Sequence, residues 1–405
     1  MILAGRQIVL GISGGIAAYK AIELARQLTV AGATVDVILT PDAARFVTPL
    51  TLQTLTQRPV LSDMFQLLET MEMGHIALGE RADLLLVAPA TANTLAGMAQ
   101  GLGHNLLLTT YLATRAPVVV APAMNVNMWQ HPATQANLAL LRERGVTVVG
   151  PAYGRLASGL VGAGRLAPLE EILGTVRQVL GRRGPLAGQR VVVTAGGTQE
   201  PLDPVRYLGN RSSGKMGYAL AQAAIDRGAE VTLVTAPTSL QAPVGAQVVA
   251  VQTAQEMREA VLAASAGAAA LLMAAAVADF RPVRAAPQKI KKEAARELSI
   301  LLQRTPDILR EVSSLPGAQR PTLVVGFAAE TEDLLAHARD KLLGKRLDLI
   351  VANDVSAADS GFGVDTNRVT LLSADGSVEA LPLLTKAEVA ERVLDRVVEM
   401  LGRET

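Results

Sequence analysis

Val191-Val-Val-Thr-Ala-Gly-Gly-Thr198, followed after a short loop by Tyr207-Leu-Gly-Asn-Arg-Ser-Ser-Gly-Lys-Met-Gly217, decides how this chain is read. The β-branched apolar run predicts a buried strand, the glycine pair a tight turn, and Ser212-Ser-Gly-Lys215 the opening of a helix. A nucleotide- or phosphate-binding α/β domain begins in this way, because helix N-terminal amides face an anion. The pattern starts here near residue 190, yet Ile8-Val-Leu-Gly-Ile-Ser-Gly-Gly-Ile-Ala-Ala18 has already made a similar start. The runs that follow also echo each other: Gly32-Ala-Thr-Val-Asp-Val-Ile-Leu-Thr40 and Gly228-Ala-Glu-Val-Thr-Leu-Val-Thr235. One chain carries two such starts.

Working outward, apolar runs at 84–88, 118–121 and 146–149 alternate with helical stretches in the first half. This βαβ rhythm predicts a parallel, doubly wound sheet, with Pro89, Pro122 and Pro151 following strands at the carboxyl ends where such sheets bind ligands. In the second half, strands are predicted at 248–251, 269–275, 323–326 and 349–351. Residues 369–372 and 377–381, joined across Asp375-Gly376, predict a β-hairpin. Gly184-Pro185 marks a linker, so the expected domains are 1–188 and 189–405. The Lys-, Arg- and Pro-rich stretch 281–298 breaks the rhythm and is expected to be a mobile flap.

Composition narrows the function. A chain of 405 residues has room for two or three cores, and with 50% hydrophobic but only 3% aromatic residues those cores are aliphatic. The net charge of +1 gives no footprint for nucleic acid or a membrane surface. With no Cys, disulfides, thiolate metal sites and a catalytic thiol are excluded. The N-terminus runs straight into a strand without a signal-peptide layout, so cytoplasm is the default expectation. The Ala-rich stretch 260–278 approaches a membrane span in length, but Ser265 and Gly267 interrupt it and Asp279 ends it. It reads as helix, turn and buried strand.

The glycines do not form a dinucleotide fingerprint, and Thr40 and Thr235 stand where an acidic residue would hold a ribose. Gly209-Asn-Arg-Ser-Ser-Gly-Lys215 approaches a P-loop, but Met216 replaces the magnesium-binding Ser or Thr. The amides of Ser212 to Gly214 still offer an anion site. The four histidines show no metal-ligand spacing. His75, just before a strand, is the one candidate for acid–base work; His104, His131 and His337 are expected to be structural or exposed. Thr91, Asn93 and Thr94 suit either helix capping or a phosphate. Lys341 and Lys345 share a helix face, which means either solvated charge or phosphate binding.

Taken together, these stretches resemble the bifunctional coenzyme A biosynthesis proteins, in which a phosphopantothenoylcysteine decarboxylase is fused to a phosphopantothenate–cysteine ligase. The resemblance spans essentially the whole chain. In the first half it rests on Gly11 to Lys20, His75, Pro89-Ala-Thr-Ala-Asn-Thr94 and Pro122-Ala-Met-Asn-Val-Asn-Met-Trp129. In the second it rests on Thr194 to Thr198, Asn210 to Gly217, Ala274 to Asp279, Lys289-Ile-Lys-Lys292, Gly326 to Thr331 and Asn353-Asp354.

The resemblance implies two doubly wound Rossmann-like domains, the first a flavodoxin-like FMN-binding fold of the cysteine decarboxylase flavoproteins. It implies FMN contacts at Ser13, Gly14, Gly15, Thr40, Thr91, Asn93 and Thr94. FMN oxidises the cysteinyl thiol to a thioaldehyde, carbon dioxide leaves, and the enethiol is reduced to 4′-phosphopantetheine. His75 is the implied base and Asn125 holds the departing carboxylate. The implied ligase uses CTP with Mg2+ to activate 4′-phosphopantothenate as an acyl-cytidylate, which the amine of L-cysteine attacks. Lys289 stabilises charge as that intermediate forms, and Asn210 acts on it. The implied CTP contacts are Ala274, Ala275, Ala276, Asp279, Phe327, the loop Pro306, Asp307, Ile308 and Leu309, and the phosphate-binding Lys341 and Lys345. Asp279 is also the implied Mg2+ contact. Trimeric decarboxylase and dimeric ligase units imply a homo-oligomer, a dodecamer, with flavin sites at subunit interfaces.

One position departs from the family. Its substrate lid reads roughly Leu-Ala-Cys-Gly, the Cys donating a proton to the enethiol, whereas this chain has Leu156-Ala-Ser-Gly159. A Ser hydroxyl is a far weaker acid than a thiol. The reaction then stalls at the enethiol, draws its proton from another donor through water, or Ser158 is itself an altered position. The departure also keeps a second reading open: an FMN-binding regulatory or inhibitory protein of the same fold.

Overall fold

The computed structural model describes residues 2–64, 74–291, 298–330, 334–354 and 363–403. Lys292 and Thr331, quoted above, lie outside them. The chain divides into two compact units, Met1–Leu180 and Gly181–Thr405.

The first unit runs β1 (Gln7–Ile12), α1 (Ala18–Val30), β2 (Thr34–Leu39), α2 (Pro49–Thr56), β3 (Val60–Leu61), α3 (Gly74–Arg81) and β4 (Leu84–Ala90). It continues with α4 (Ala92–Gln100), α5 (Leu106–Ala113), β5 (Val118–Pro122), α6 (Val126–Gln130), α7 (Pro132–Glu143) and β6 (Thr147–Val148). The six strands form one parallel sheet in the order β3-β2-β1-β4-β5-β6. Successive side chains of a strand point to opposite faces. Ile8, Leu10 and Ile12 therefore enter one aliphatic core while Val9 enters the other. The order reverses between β1 and β4, and that reversal opens a crevice at the strands' carboxyl ends. A hairpin of β7 (Ala152–Arg155) and β8 (Val161–Arg165) follows, then α8 (Leu169–Gly181). Pro89 lies inside β4 rather than after it, where the pairing with β5 shifts register between Val87 and Ala90. A shift of this kind is where a strand tolerates proline, which has no N–H to donate.

The second unit runs β9 (Arg190–Ala195), β10 (Gln199–Pro201), β11 (Tyr207–Gly209), α9 (Lys215–Asp226), β12 (Glu230–Thr235), β13 (Gln247–Ala250), α10 (Ala254–Ser265) and β14 (Ala270–Met273). Next come β15 (Phe280–Pro282), β16 (Leu302–Arg304), α11 (Ile308–Ser313), β17 (Leu323–Glu330), α12 (Leu334–Gly344) and β18 (Leu349–Asp354). The last elements are β19 (Thr366–Asn367), β20 (Val369–Ser373), β21 (Val378–Ala380), β22 (Leu384–Thr385) and α13 (Lys386–Arg403). Eight strands form its sheet, β13-β12-β9-β14-β17-β18-β20-β21, antiparallel only across the last two pairings. The predicted hairpin at Asp375-Gly376 is therefore present, with Gly376 at φ 88°. The expected linker is not free chain: Leu186 is buried, and its amide donates to the Arg227 carbonyl. Among the described residues no helix is long and apolar enough to cross a membrane.

Gly217 sets how closely α9 lies on β9. A Cβ there would stand 2.6 Å from both the Ala195 Cβ and the Thr194 carbonyl oxygen. Alanine improves helix propensity by about 1 kcal/mol, but overpacking against backbone costs about 1–3 kcal/mol. Gly217→Ala is expected to lower the Tm of the second unit by a few degrees in a calorimetric scan. A raised Tm would show that α9 can shift outward at no cost.

Candidate active sites

In the first unit, a cavity of about 1080 Å³ occupies the carboxyl end of the sheet. Its floor is the turn after β1. A Cβ on Gly14 would lie 2.3 Å from the Asp42 Cβ and 2.9 Å from its carbonyl carbon, so only glycine lets the two loops approach this closely. Gly14, Gly15, Thr40, Thr91, Asn93 and Thr94 all line the cavity, which brings together six of the seven residues expected from the resemblance to contact FMN. Thr91 caps α4, its hydroxyl accepting from the Thr94 amide at 3.3 Å. The capping reading holds, and the capped helix N-terminus borders the cavity. Ser13 is buried and does not line the cavity. Its hydroxyl donates to the Pro89 carbonyl at 2.6 Å and accepts from the Thr91 amide at 2.9 Å. It ties β1 to the start of α4.

The β7–β8 hairpin closes one side. It is held by the Met124 amide, which donates to the Gly164 carbonyl at 2.9 Å. A Cβ on Gly164 would meet the Met124 carbonyl oxygen at 2.3 Å, and one on Gly162 would meet Val126 at 2.6 Å. This close seating brings the hairpin tip to Asn125. Asn125 caps α6 through Oδ1, which accepts from the Asn127 amide at 2.9 Å. That bond fixes its amide group, and Nδ2 donates to the exposed Ser158 Oγ at 3.2 Å. Asn125 and Ser158 both line the cavity. His75 does not. It sits at the first turn of α3 with a buried Nδ1 that has no hydrogen-bond partner among the described residues. His131 is structural as expected, its Nδ1 accepting from the Ala133 amide at 3.2 Å at the start of α7. His104 is exposed as expected, but it lines the cavity as well.

In the second unit, the turns after β9 and β14 are stitched together. The Ala275 amide donates to Thr194 Oγ1 at 3.0 Å, the Ala276 amide to the Gly196 carbonyl at 2.8 Å, and the Ala278 amide to Thr198 Oγ1 at 2.9 Å. The Ala274 amide donates to the Leu272 carbonyl at 3.2 Å. With the amides of Ala274 to Ala276 occupied, this turn offers acceptors rather than donors. Asn210 joins it, Nδ2 donating to the Val277 carbonyl at 3.2 Å. Thr305 extends the same cluster through the Ala278 and Asp279 carbonyls, at 2.6 and 3.0 Å. Phe327 lies on β17 beside β14 and is partly buried. Lys345 Nζ pairs with Asp307 at 3.0 Å, which brings two of the expected contacts together. In the loop 306–309, Asp307 is exposed while Ile308 is core. Lys341 lies one turn before Lys345, whose amide donates to its carbonyl. Lys215 of the P-loop near-match is engaged by Asp365 at 2.6 Å. Asp279 is exposed, and no group of three or more His, Cys, Asp or Glu that could hold a metal ion occurs among the described residues.

Sequence reasoning missed Asp203. Its side chain is buried in the turn between β10 and β11 and takes part in five hydrogen bonds. The Arg206 guanidinium and then the backbone amides hold its carboxyl far below the usual carboxylate range. Because the folded value is depressed, the stabilisation from these bonds is fully present above the usual carboxylate range and is lost as pH falls below that range through the depressed folded value. The signal was a Pro-Leu-Asp-Pro turn, which reads only as loop chemistry until the partner segment is known.

Residues 3–181 match the Flavoprotein family model, and residues 186–401 match that of the DNA/pantothenate metabolism flavoprotein C-terminal domain. The chain is 47% identical over 401 residues to the coenzyme A biosynthesis bifunctional protein CoaBC of Vibrio vulnificus, covering 99% of each chain. It is 45% identical to that of Bacillus subtilis, covering 98% of this chain and 97% of the relative. Against the Mycobacterium tuberculosis protein the identity is 47%, over 98% of this chain and 97% of the relative. A crystal structure of the C-terminal domain of a CoaBC protein is 41% identical over 53% of this chain and 97% of its own, with a TM-score of 0.45. On the full-length identities, the chain belongs to the family of bifunctional coenzyme A biosynthesis proteins, CoaBC.

Proposed function

We propose that the two activities of this coenzyme A biosynthesis enzyme, a ligase and a decarboxylase, are divided between its two units, with residues 181–405 making the substrate that residues 1–180 consume. The observation that carries this reading is the Asn125–Ser158 contact, which seats the tip of the β7–β8 hairpin at the wall of the first unit's own cavity.

In the first unit the cavity suits FMN. Its volume accommodates a flavin and a substrate together, and its floor combines glycine turns, Thr hydroxyls and the N-terminus of α4 for a phosphate. When bound, FMN supplies the two-electron chemistry. Gly14, Gly15, Thr40, Thr91, Asn93 and Thr94 hold it, while Ser13 fixes the loops that do so. Asn125, with Oδ1 committed to its own helix, turns Nδ2 toward the substrate carboxylate or the Ser158 hydroxyl. His75 is the base. It lies off the cavity of its own chain, so a second copy supplies it, which fits a trimeric assembly.

In the second unit, CTP is bound with its 4-amino group toward the carbonyls of Ala274 and Ala275, the acceptors that the stitched turn leaves. Asp279, Phe327 and the loop 306–309 border the nucleotide. Lys289, Lys341 and Lys345 meet phosphates, and Asn210 holds the acyl-cytidylate. Mg2+ is bound mainly by the triphosphate, with Asp279 as its protein ligand. The regulatory reading is not favoured, because it leaves the second unit without a role.

Incubation with 4′-phosphopantothenate, L-cysteine and CTP tests the proposal. Mass analysis is expected to find CMP, pyrophosphate and phosphopantothenoylcysteine, followed by its decarboxylated product. Turnover with ATP but not CTP would contradict the nucleotide assignment.

A further inference from the structure

Asp203 divides its two carboxylate oxygens between two tasks. Oδ1 accepts from the amides of Val205 and Arg206, both at 2.8 Å, and so closes the turn between β10 and β11. Oδ2 accepts from Arg206 Nε at 3.0 Å and Nη2 at 2.5 Å, and from the Ile290 amide at 3.1 Å. Arg206 Nη2 in turn donates to the Ile290 carbonyl at 2.9 Å. Both backbone polar groups of residue 290 are therefore gripped by one ion pair, whose carboxylate is buried and whose guanidinium is partly exposed. A further bond joins the same two segments, from the Ala286 amide to the Leu202 carbonyl at 2.9 Å. On one side of the turn, β11 leads directly into Asn210. On the other, the gripped segment carries Lys289, whose exposed side chain takes no hydrogen bond or ion pair among the described residues.

Residues 283–291 have no helix or strand of their own to hold them. An exposed lysine on such a segment samples many positions, and transition-state stabilisation requires one. We infer that Asp203, through Arg206 and the backbone of Ile290, is the positioning residue that sets Lys289 against the Asn210 loop for acyl-cytidylate formation. This rests on Lys289 being the charge-stabilising residue of the ligase. Asp203 touches no substrate itself.

Asp203→Asn separates the two tasks. An Asn with its oxygen at Oδ1 keeps the turn, while its amide NH2 now faces the donors of Arg206 and Ile290. Steady-state ligase kinetics are measured on the full-length protein, alone and in a Lys289→Gln background. The expected result is a fall in kcat of about 10-fold to 100-fold with KM for CTP within about 2-fold, and no further fall when Asp203→Asn is added to Lys289→Gln. An unchanged kcat, or an equal loss in both backgrounds, would overturn the inference, the latter because a purely structural role is additive. If Lys289→Gln alone leaves kcat intact, the underlying reading of Lys289 fails, and the inference with it. Should Asp203→Asn fail to fold, Arg206→Gln makes the same test, since it keeps every backbone bond to Asp203.

Discussion

Ser158→Cys is expected to shorten the life of the enethiol intermediate by about 100-fold, the lower end of what a positioned general acid contributes. A thiol has a pKa near 8.5, whereas an alkyl hydroxyl is as weak an acid as water and stays protonated throughout the working pH range. The lid hydroxyl is fixed in place, accepting from Asn125 Nδ2 at 3.2 Å, but it has little acidity to offer. The position is exposed at the hairpin tip, so the larger sulfur meets no packed core. A single-turnover reaction quenched at intervals and read by mass separates the enethiol from the fully reduced product. Wild-type protein is expected to accumulate enethiol, and the Cys variant to pass through it. Rapid formation of reduced product by the wild type would show that another donor on the cavity wall already serves.

Lys289→Gln is expected to lower the ligase kcat by about 100-fold to 1000-fold, the usual cost of removing one charge-stabilising donor. Gln keeps a comparable reach and a hydrogen-bond donor but loses the charge. Since Lys289 is exposed and makes no ion pair among the described residues, little stability is lost with it. Decarboxylation of supplied phosphopantothenoylcysteine should be unchanged, because the proposed division assigns that chemistry to the other unit. Pyrophosphate release gives the ligase rate and carbon dioxide release the other. Equal losses in both would point to general damage.

The fold was legible because its signals are local. The valine run at 191–193 and the echoed second strands announce parallel strands directly, and Gly376 marks its hairpin by the backbone it must adopt. The first site was legible for the same reason: glycine turns and Thr91 sit beside the strands that aim them. What escaped depends on contacts between segments far apart in sequence. Ser13, expected from the resemblance to contact FMN, has its hydroxyl engaged by Pro89 and Thr91, 76 and 78 residues away. Asp203 reads as an ordinary turn residue until Ile290, 87 residues on, is found against it. The expected flap 281–298 lies partly outside the described residues, at 292–297; its described part is anchored at Ala286 and Ile290 to the β10–β11 turn, a pairing no local pattern announces. Charge and glycine content cannot report such pairings.

The central claim is that two separate sites in one chain act in series, and a mixture of two variants tests it most directly. Asn125→Ala is expected to accumulate phosphopantothenoylcysteine, and Lys289→Gln to make almost none. Mixed in equal amounts with 4′-phosphopantothenate, L-cysteine and CTP, the two proteins should restore carbon dioxide release, because the first supplies what the second consumes. A mixture that releases no more carbon dioxide than either variant alone would contradict the account.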